Sequence, residues 1–310
     1  MQEFDLTVIG SGPGGYTAAI RAAQLGFKTA IIERDKLGGV CLNWGCIPTK
    51  ALLKSAEVMN KISHLDDLGL KAQEIGFDFP KIIERSRDVA DASEKGVKYL
   101  MKKNKITVIE GSAKFGKDKI ISVSDKTGKE IDKVKSKHTI IATGARARKL
   151  PGVEFDEKKI LSSTGALIMK EVPKSMVIVG SGAIGAEFAY FYNAFGTDIT
   201  IIEMLPTILP VEDKDISDVV AREFKKSGIK IYTESKTEEV KIKGNKVKVK
   251  VSGKVTDEIE ADCVLLAIGV TGNIENLGLE DIGVEVYKNG IKVDKNYQTN
   301  VSGVYAIGDC

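Results

Sequence analysis

Cys41 and Cys46 stand five positions apart in the stretch Cys41-Leu42-Asn43-Trp44-Gly45-Cys46-Ile47-Pro48-Thr49-Lys50. Two thiols so placed, just ahead of a helix start, read as a redox disulfide. Five residues of ideal helix separate two Cα atoms by roughly 7.5 Å, beyond the usual disulfide limit of about 6.8 Å, so the bridge needs a distorted turn. Gly45 permits one. Pro48 suits a first helical turn, and the run 51–59 (ALLKSAEVM) continues as an amphipathic helix, which sets Cys46 near the positive end of the helix dipole. A thiolate is stabilised there. The pair alone also admits a passive disulfide or half of a zinc site. An all-cysteine zinc site wants a second close pair, and Cys263 and Cys310 lack that spacing, so no metal site is expected.

The elements that must position these thiols come from an internal repeat. A shift of 170 residues lays Val8-Ile9-Gly10-Ser11-Gly12-Pro13-Gly14-Gly15 on Ile178-Val179-Gly180-Ser181-Gly182-Ala183-Ile184-Gly185. Without a gap, the same shift lays Gly26 on Gly196, Ile31-Ile32 on Ile201-Ile202 and Glu33 on Glu203. Each copy reads as strand, glycine turn, helix, strand and terminal acid. The first glycine allows the tight turn, the second lets backbone approach a pyrophosphate, and the third brings helix and strand together. The helix N-terminus then faces the phosphates, and the acid at the end of the second strand meets ribose hydroxyls. A lone G-x-G-x-x-G is weak evidence, but two copies in complete settings predict two bound dinucleotides. The fold class expected is α/β, with two Rossmann-like dinucleotide-binding domains, the second inserted in the first.

Composition sets the remaining bounds. A length of 310 residues suffices for about two domains with substantial cores. A net charge of +3 is too small to argue for nucleic acid or a membrane surface, and no apolar run approaches the roughly 18 residues of a transmembrane helix. The acidic start Met1-Gln2-Glu3-Phe4-Asp5 leads into the first strand without a signal or transit sequence, so the cytoplasm is expected, or a mitochondrial matrix for a processed protein. Helices are expected through much of 46–103, short strands from about Ile106, and turns at Gly116 and Lys126-Thr127-Gly128. A strand is predicted over 138–142, running into Thr143-Gly144-Ala145.

With these motifs in view, the chain resembles the pyridine nucleotide-disulfide oxidoreductases, flavoproteins with two dinucleotide-binding domains, and within them the branch that oxidises dihydrolipoamide. The resemblance spans the whole chain. It rests on the first turn, on the run 39–50 (GVCLNWGCIPTK), on Ala142-Thr143-Gly144-Ala145, on the second turn with Glu187 and Glu203, and on Tyr305-Ala306-Ile307-Gly308-Asp309. It implies an FAD-binding domain at 1–147 carrying the redox pair, an NAD-binding domain at 148–271, and a return to the first domain at 272–310. For FAD it implies Gly10, Gly12 and Gly15 on the pyrophosphate, Glu33 on the adenosine ribose, Ala113 at the adenine and Asp309 on the ribityl-phosphate part. Gly39, Val40, Thr143 and Gly144 belong to the same site. Gly180, Gly182, Gly185, Glu203 and Gly269 are implied for NAD.

The resemblance also assigns catalytic roles. Cys41 is the interchange thiol that meets substrate and Cys46 the thiolate against the flavin, while Lys50 lies near the reactive flavin nitrogen and pairs with Glu187. A dithiol such as dihydrolipoamide attacks the Cys41-Cys46 disulfide, Cys46 passes the electron pair to FAD, and hydride goes to NAD. Glu203 repels a 2′-phosphate and Met204-Leu205-Pro206 offers no arginine to hold one, so NAD is expected over NADP. That disfavours glutathione and mercuric reductases. The C-x-x-x-x-C spacing in the FAD domain excludes the short thioredoxin reductases, whose pair is C-x-x-C. Implied partners are lipoyl domains of 2-oxo acid dehydrogenase complexes or the glycine cleavage H protein, with a homodimer for the complete protein.

Three departures accompany the resemblance. Val40 stands where threonine is common and Val270 where arginine is common. The chain also ends after Gly308-Asp309-Cys310, where the family continues into a dimer-interface domain bearing a catalytic His-Glu pair. Neither His64 nor His138 stands in that context, so a fragment lacking its base is expected. The lysine-rich segments 239–243 and 246–250 read as a hairpin with a solvated face. Two alternatives stand beside the main reading: another NAD(P)H-linked disulfide reductase of the family, and a catalytically impaired FAD/NAD-binding module.

Overall fold

The computed structural model describes residues 1–71, 76–288 and 290–310. Along the first part of the chain run β1 (Gln2–Ile9), α1 (Pro13–Gln24), β2 (Thr29–Glu33), α2 (Gly39–Trp44), α3 (Cys46–Ser63), α4 (Phe79–Lys103), β3 (Thr107–Glu110), β4 (Ser112–Phe115), β5 (Ile121–Ser124) and β6 (Glu130–Ile141). Next come β7 (Ala145–Ala147), β8 (Ile160–Leu161), α5 (Ser163–Ala166), β9 (Ser175–Val179), α6 (Ala183–Ala194), β10 (Asp198–Ile202), α7 (Lys214–Lys226), β11 (Lys230–Tyr232), β12 (Ser235–Lys243), β13 (Lys246–Gly253), β14 (Asp257–Ala261) and β15 (Cys263–Leu266). The last elements are β16 (Val270–Gly272), β17 (Val286–Tyr287), β18 (Gly290–Ile291) and β19 (Val304–Ala306).

The chain divides into two units. The first holds Met1–Cys46, Val89–Arg146 and Val270–Cys310, and the second Ile47–Asp88 and Ala147–Gly269. The second is therefore an insertion, entered after Arg146 and left at Gly269. Residues 47–88 group with it, whereas the sequence had assigned them to the first domain. Leu52 and Ala56 of α3 and Phe79 and Ile83 of α4 are buried in its core, which accounts for the difference.

In the first unit the sheet order is β3-β2-β1-β6-β5-β4, with β19 also on β6. Strands β3, β2, β1, β6 and β19 are parallel, and β5 and β4 run antiparallel. In β1, Phe4, Leu6, Val8 and Ile9 are all buried, as expected of a strand covered on both faces. β6 is longer than predicted. Its first half, Glu130 to Val134, pairs with β5, and Thr139 to Ile141 pair with β19.

The second unit holds a parallel sheet of order β11-β10-β9-β15-β8 and a separate antiparallel sheet β12-β13-β14. Alternation along β9 sends Met176 and Ile178 to one core and Val177 and Val179 to another. The first of these cores holds the aromatic side of α6, where Phe191 and Tyr192 meet Phe79, Phe191 meets Phe195, and Phe188 stacks on Tyr192. Each such side chain stabilises the unit by roughly 1.5–3 kcal/mol on burial. The Tyr192 hydroxyl donates to Ala166 O at 2.5 Å, and burial pushes its pKa up. Two dinucleotide-type α/β units thus occur in one chain. Among the described residues no helix is long and apolar enough to cross a membrane.

Candidate active site

In open α/β sheets, ligand sites lie at the carboxyl ends of parallel strands, where the strand order reverses. In the first unit this place is between β1 and β6. Gly10 turns there with φ +96°, and a Cβ on it would lie 2.3 Å from Ala142 O. A Cβ on Gly15 would lie 2.0 Å from Gly10 O, so its absence lets α1 close onto β1. Gly12 differs from both, because a Cβ there meets nothing within 4 Å. Space is therefore open in front of the uncapped amide end of α1. Glu33, half-buried at the end of β2, accepts from Ser11 N at 2.8 Å and Ser11 Oγ at 2.6 Å.

The second unit repeats this geometry. Gly180 has φ +94° and its Cβ would lie 2.5 Å from Ala267 O, while a Cβ on Gly185 would lie 2.1 Å from Gly180 O. Gly182 again faces open space, and α6 begins without a side-chain cap. Glu203, only 8% exposed, accepts from Ser181 N at 2.9 Å and Ser181 Oγ at 2.7 Å. Gly269, with φ +101°, accepts from Arg148 N at 3.0 Å.

The cysteine segment is seated on the first turn. Gly38 N donates to Ser11 O at 3.0 Å, and a Cβ on Gly39 (φ +62°) would lie 2.6 Å from Gly12 Cα, so only glycine permits this approach. From Gly39 the chain enters α2, which carries Cys41 in its first turn and stops at Gly45; α3 then starts on Cys46. The distorted turn expected between the cysteines is thus a break between two helices. Asn43, fully buried, donates through Nδ2 to Leu37 O and Gly39 O, each at 3.0 Å. Cys41 and Cys46 are not bridged in this structure. Burial, and next a hydrogen bond with Cys46, push the Cys41 thiol up to about 11. Cys46 is exposed.

Four residues along α3, Lys50 forms an ion pair with Glu187 of α6, both in the second unit. Val40 is exposed beside Cys41. The remaining candidates lie in the first unit. Thr143 Oγ1 donates to Asn273 O at 2.7 Å, Gly144 (φ +63°) accepts from Asn273 N at 2.8 Å, and Ala113 is buried in β4. Asp309 is exposed after Gly308, whose φ is +78°. The histidines are occupied elsewhere: His64 Nδ1 meets Asn60 O at 2.7 Å at the end of α3, and the His138 ring lies 6.1 Å from that of Tyr305. Ser11, Ser181, Asn43 and Asn273 were not singled out from sequence. The two serines were visible in the repeat, at equivalent places.

The room before Gly12 and Gly182, the uncapped amide ends behind them and the carboxylates at Glu33 and Glu203 fit one dinucleotide at each turn. The family model for pyridine nucleotide-disulphide oxidoreductases matches residues 4–310. The chain belongs to this family. Pyridine nucleotide-disulphide oxidoreductases use FAD and NAD(P), and this member is accordingly an oxidoreductase. It is 47% identical to a dihydrolipoyl dehydrogenase of Rhizobium etli over 99% of this chain and 67% of that protein. A dihydrolipoyl dehydrogenase of Acholeplasma laidlawii is 43% identical, with 99% and 90% covered. The chain spans about two thirds of the length of the first curated relatives it matches, 67% of the Rhizobium etli protein and 66% of the Chlorobaculum tepidum protein. Among solved structures, LpdA of Mycobacterium tuberculosis superposes with a TM-score of 0.91 at 26% identity, covering 100% of this chain and 68% of that one. The HOCl-induced flavoprotein disulfide reductase RclA of Escherichia coli, as its Cu(II) complex, gives 0.85 at 30% identity, with 100% and 66% covered.

Proposed function

We propose that this chain carries the dithiol, flavin-binding and nucleotide-binding parts of an NAD-linked enzyme that oxidises protein-bound dihydrolipoamide. One observation carries the reading: the Cys41–Cys46 segment starts from Gly39, which is packed against Gly12 of the first nucleotide turn. That contact ties the thiols to the site that fits FAD. FAD, when bound, supplies an acceptor for the electron pair of the dithiol and a hydride donor to nicotinamide.

The chain's own residues then divide the work. In the oxidised pair, a thiolate of dihydrolipoamide attacks the Cys41 sulfur and Cys46 leaves as thiolate. The second substrate thiol, after losing its proton, displaces Cys41 from the mixed disulfide. Lipoamide departs with its S–S bond formed, and the protein retains two reduced sulfurs. Burial, and next the hydrogen bond with Cys46, push the Cys41 thiol up to about 11, while Cys46 opens α3 at its amide end. The Lys50–Glu187 pair holds the lysine ammonium one helical turn from Cys46. Glu203 accepts from the ribose of NAD and disfavours a 2′-phosphate.

By relation to the dihydrolipoyl dehydrogenases, lipoyl domains of 2-oxo acid dehydrogenase complexes or the glycine cleavage H protein are the proposed partners, and a homodimer the proposed assembly. The likeness to RclA favours a second reading, a family disulfide reductase with another substrate, which parallel assays with dihydrolipoamide and other dithiols separate. The functional test is Cys46→Ser. Flavin should stay bound while long-wavelength thiolate-flavin absorption is lost; an unchanged band would contradict the assignment.

A further inference from the structure

Helix α2 has six residues, and a helix that short does not hold its shape in water by its own ladder of bonds. It starts without a side-chain cap, on Gly38 and Gly39, both left-handed at φ +98° and +62°. Cys41 rides on this helix, and Cys46 follows its end. The two thiols nevertheless meet, since Cys41 is hydrogen-bonded to Cys46. Asn43 stands between them, two residues after the one and three before the other, and is only 1% exposed. Its Nδ2 donates to Leu37 O, ahead of the glycine pair, and to Gly39 O, at the end of it, each at 3.0 Å. One side-chain amide thus spans the whole left-handed turn. Gly38 N in turn donates to Ser11 O at 3.0 Å and to Ser11 Oγ at 3.2 Å. A chain of bonds therefore leads from the first nucleotide turn, through Asn43, to the helix that carries Cys41.

We infer that Asn43 is a positioning residue for the redox pair: its amide ties α2 to the glycine turn and so holds Cys41 at Cys46, ready to bond without rearranging the segment. Groups held in place need less ordering when they react, so the clamp favours the bridged form. Closure joins the two sulfurs, releases two protons and passes two electrons to an acceptor. With oxidised dithiothreitol as that acceptor, its S–S bond is reduced to two thiols. The inference rests on the redox-pair reading above and extends it to the residue that sets the geometry of the pair.

The test equilibrates the intact chain with mixtures of oxidised and reduced dithiothreitol and reads the bridged fraction by mass spectrometry after alkylation. Asn43→Leu keeps the branched shape without a donor, and Asn43→Ala removes shape and donors together. Both should need about a tenfold higher ratio of oxidised to reduced reagent for half bridging, a rise of about 30 mV in potential. If Asn43→Leu bridges like the unaltered chain, the donors have no part and the inference is overturned. A second arm needs no variant. Amide hydrogen exchange over 37–45 of the unaltered chain should show the same protection, within about twofold, in the dithiol and bridged forms. A tenfold gain on bridging would mean that the bridge, not Asn43, orders the segment, and would also overturn the inference. If no mixture bridges the unaltered chain, the redox-pair reading itself falls, and this inference with it.

Discussion

The two nucleotide turns share their glycines, serines and acids, with serine-to-glutamate bonds of 2.8 and 2.6 Å in one and 2.9 and 2.7 Å in the other, and part company just beyond the acid. In the first unit, Gly38 and Gly39 take left-handed conformations and Gly39 presses against Gly12, launching the chain into α2 and Cys41. The 170-residue shift sets Gly39 on Leu209, which is also left-handed, at φ +48°, without being glycine. Leu209 packs its side chain against the aromatic core of the second unit. One scaffold thus serves two ends. Where a redox segment must touch the turn backbone to backbone, a side chain is excluded. Where the loop only closes the unit, an apolar side chain offsets the cost of the conformation.

The comparison breaks hardest at the third glycine of each turn. Gly15→Ala and Gly185→Ala drive a Cβ into a carbonyl, and each should cost its own unit about 1–3 kcal/mol. Gly15→Ala should empty the chain of flavin while NADH still binds, and Gly185→Ala the reverse, as read by flavin absorbance and NADH fluorescence. Loss of both ligands in either variant would mean that the turns do not act separately. The second glycines sharpen the point. Gly12→Ala and Gly182→Ala meet no protein atom within 4 Å, so stability should stay within about 0.5 kcal/mol while affinity for the matching nucleotide falls.

The redox segment, present only after the first turn, gives the next effect. Cys41 alkylation, followed by mass spectrometry, should keep rising with pH towards about 11, because the thiolate is the reacting form. In Cys46→Ala the midpoint should fall yet stay above an ordinary thiol, since burial, the larger cause, persists. A midpoint that does not move would remove the hydrogen bond to Cys46 as a cause.

The smallest effect belongs to the chain crossings in the first unit, where Arg146 makes a bidentate pair with Glu275 at 3.0 and 2.7 Å. The arginine holds the Glu275 carboxyl down at about 2 against a usual 4.5. Its stabilisation is therefore complete above about pH 4.5 and lost as pH falls through about 2. Both side chains are half-exposed, so Glu275→Gln should cost under about 1 kcal/mol at pH 7 by urea unfolding, and nothing near pH 2.

Much of this was legible because the nucleotide turn is written in residue types with few substitutes. Glycines at Gly10, Gly15, Gly180 and Gly185 leave no room for a Cβ, and their spacing could be read directly. What was not legible depended on tertiary pairing. Residues 130–137 of β6 look like a solvated loop, with Val134 their one buried apolar residue, and become strand because β1 and β5 flank them. The lysine-rich hairpin was foreseen, but not β14, whose acids pair across β13, Lys248 with Glu258 at 2.6 Å among them. The grouping of 47–88 with the second unit followed from which core Leu52 and Phe79 enter, which no local pattern specifies.

The most direct test of the link between the first turn and the thiols is an anaerobic visible spectrum of the flavin-loaded chain before and after dihydrolipoamide. A long-wavelength charge-transfer band that appears on addition is predicted, since reduction frees the Cys46 thiolate beside the flavin. A bound flavin whose spectrum stays unchanged would contradict the account.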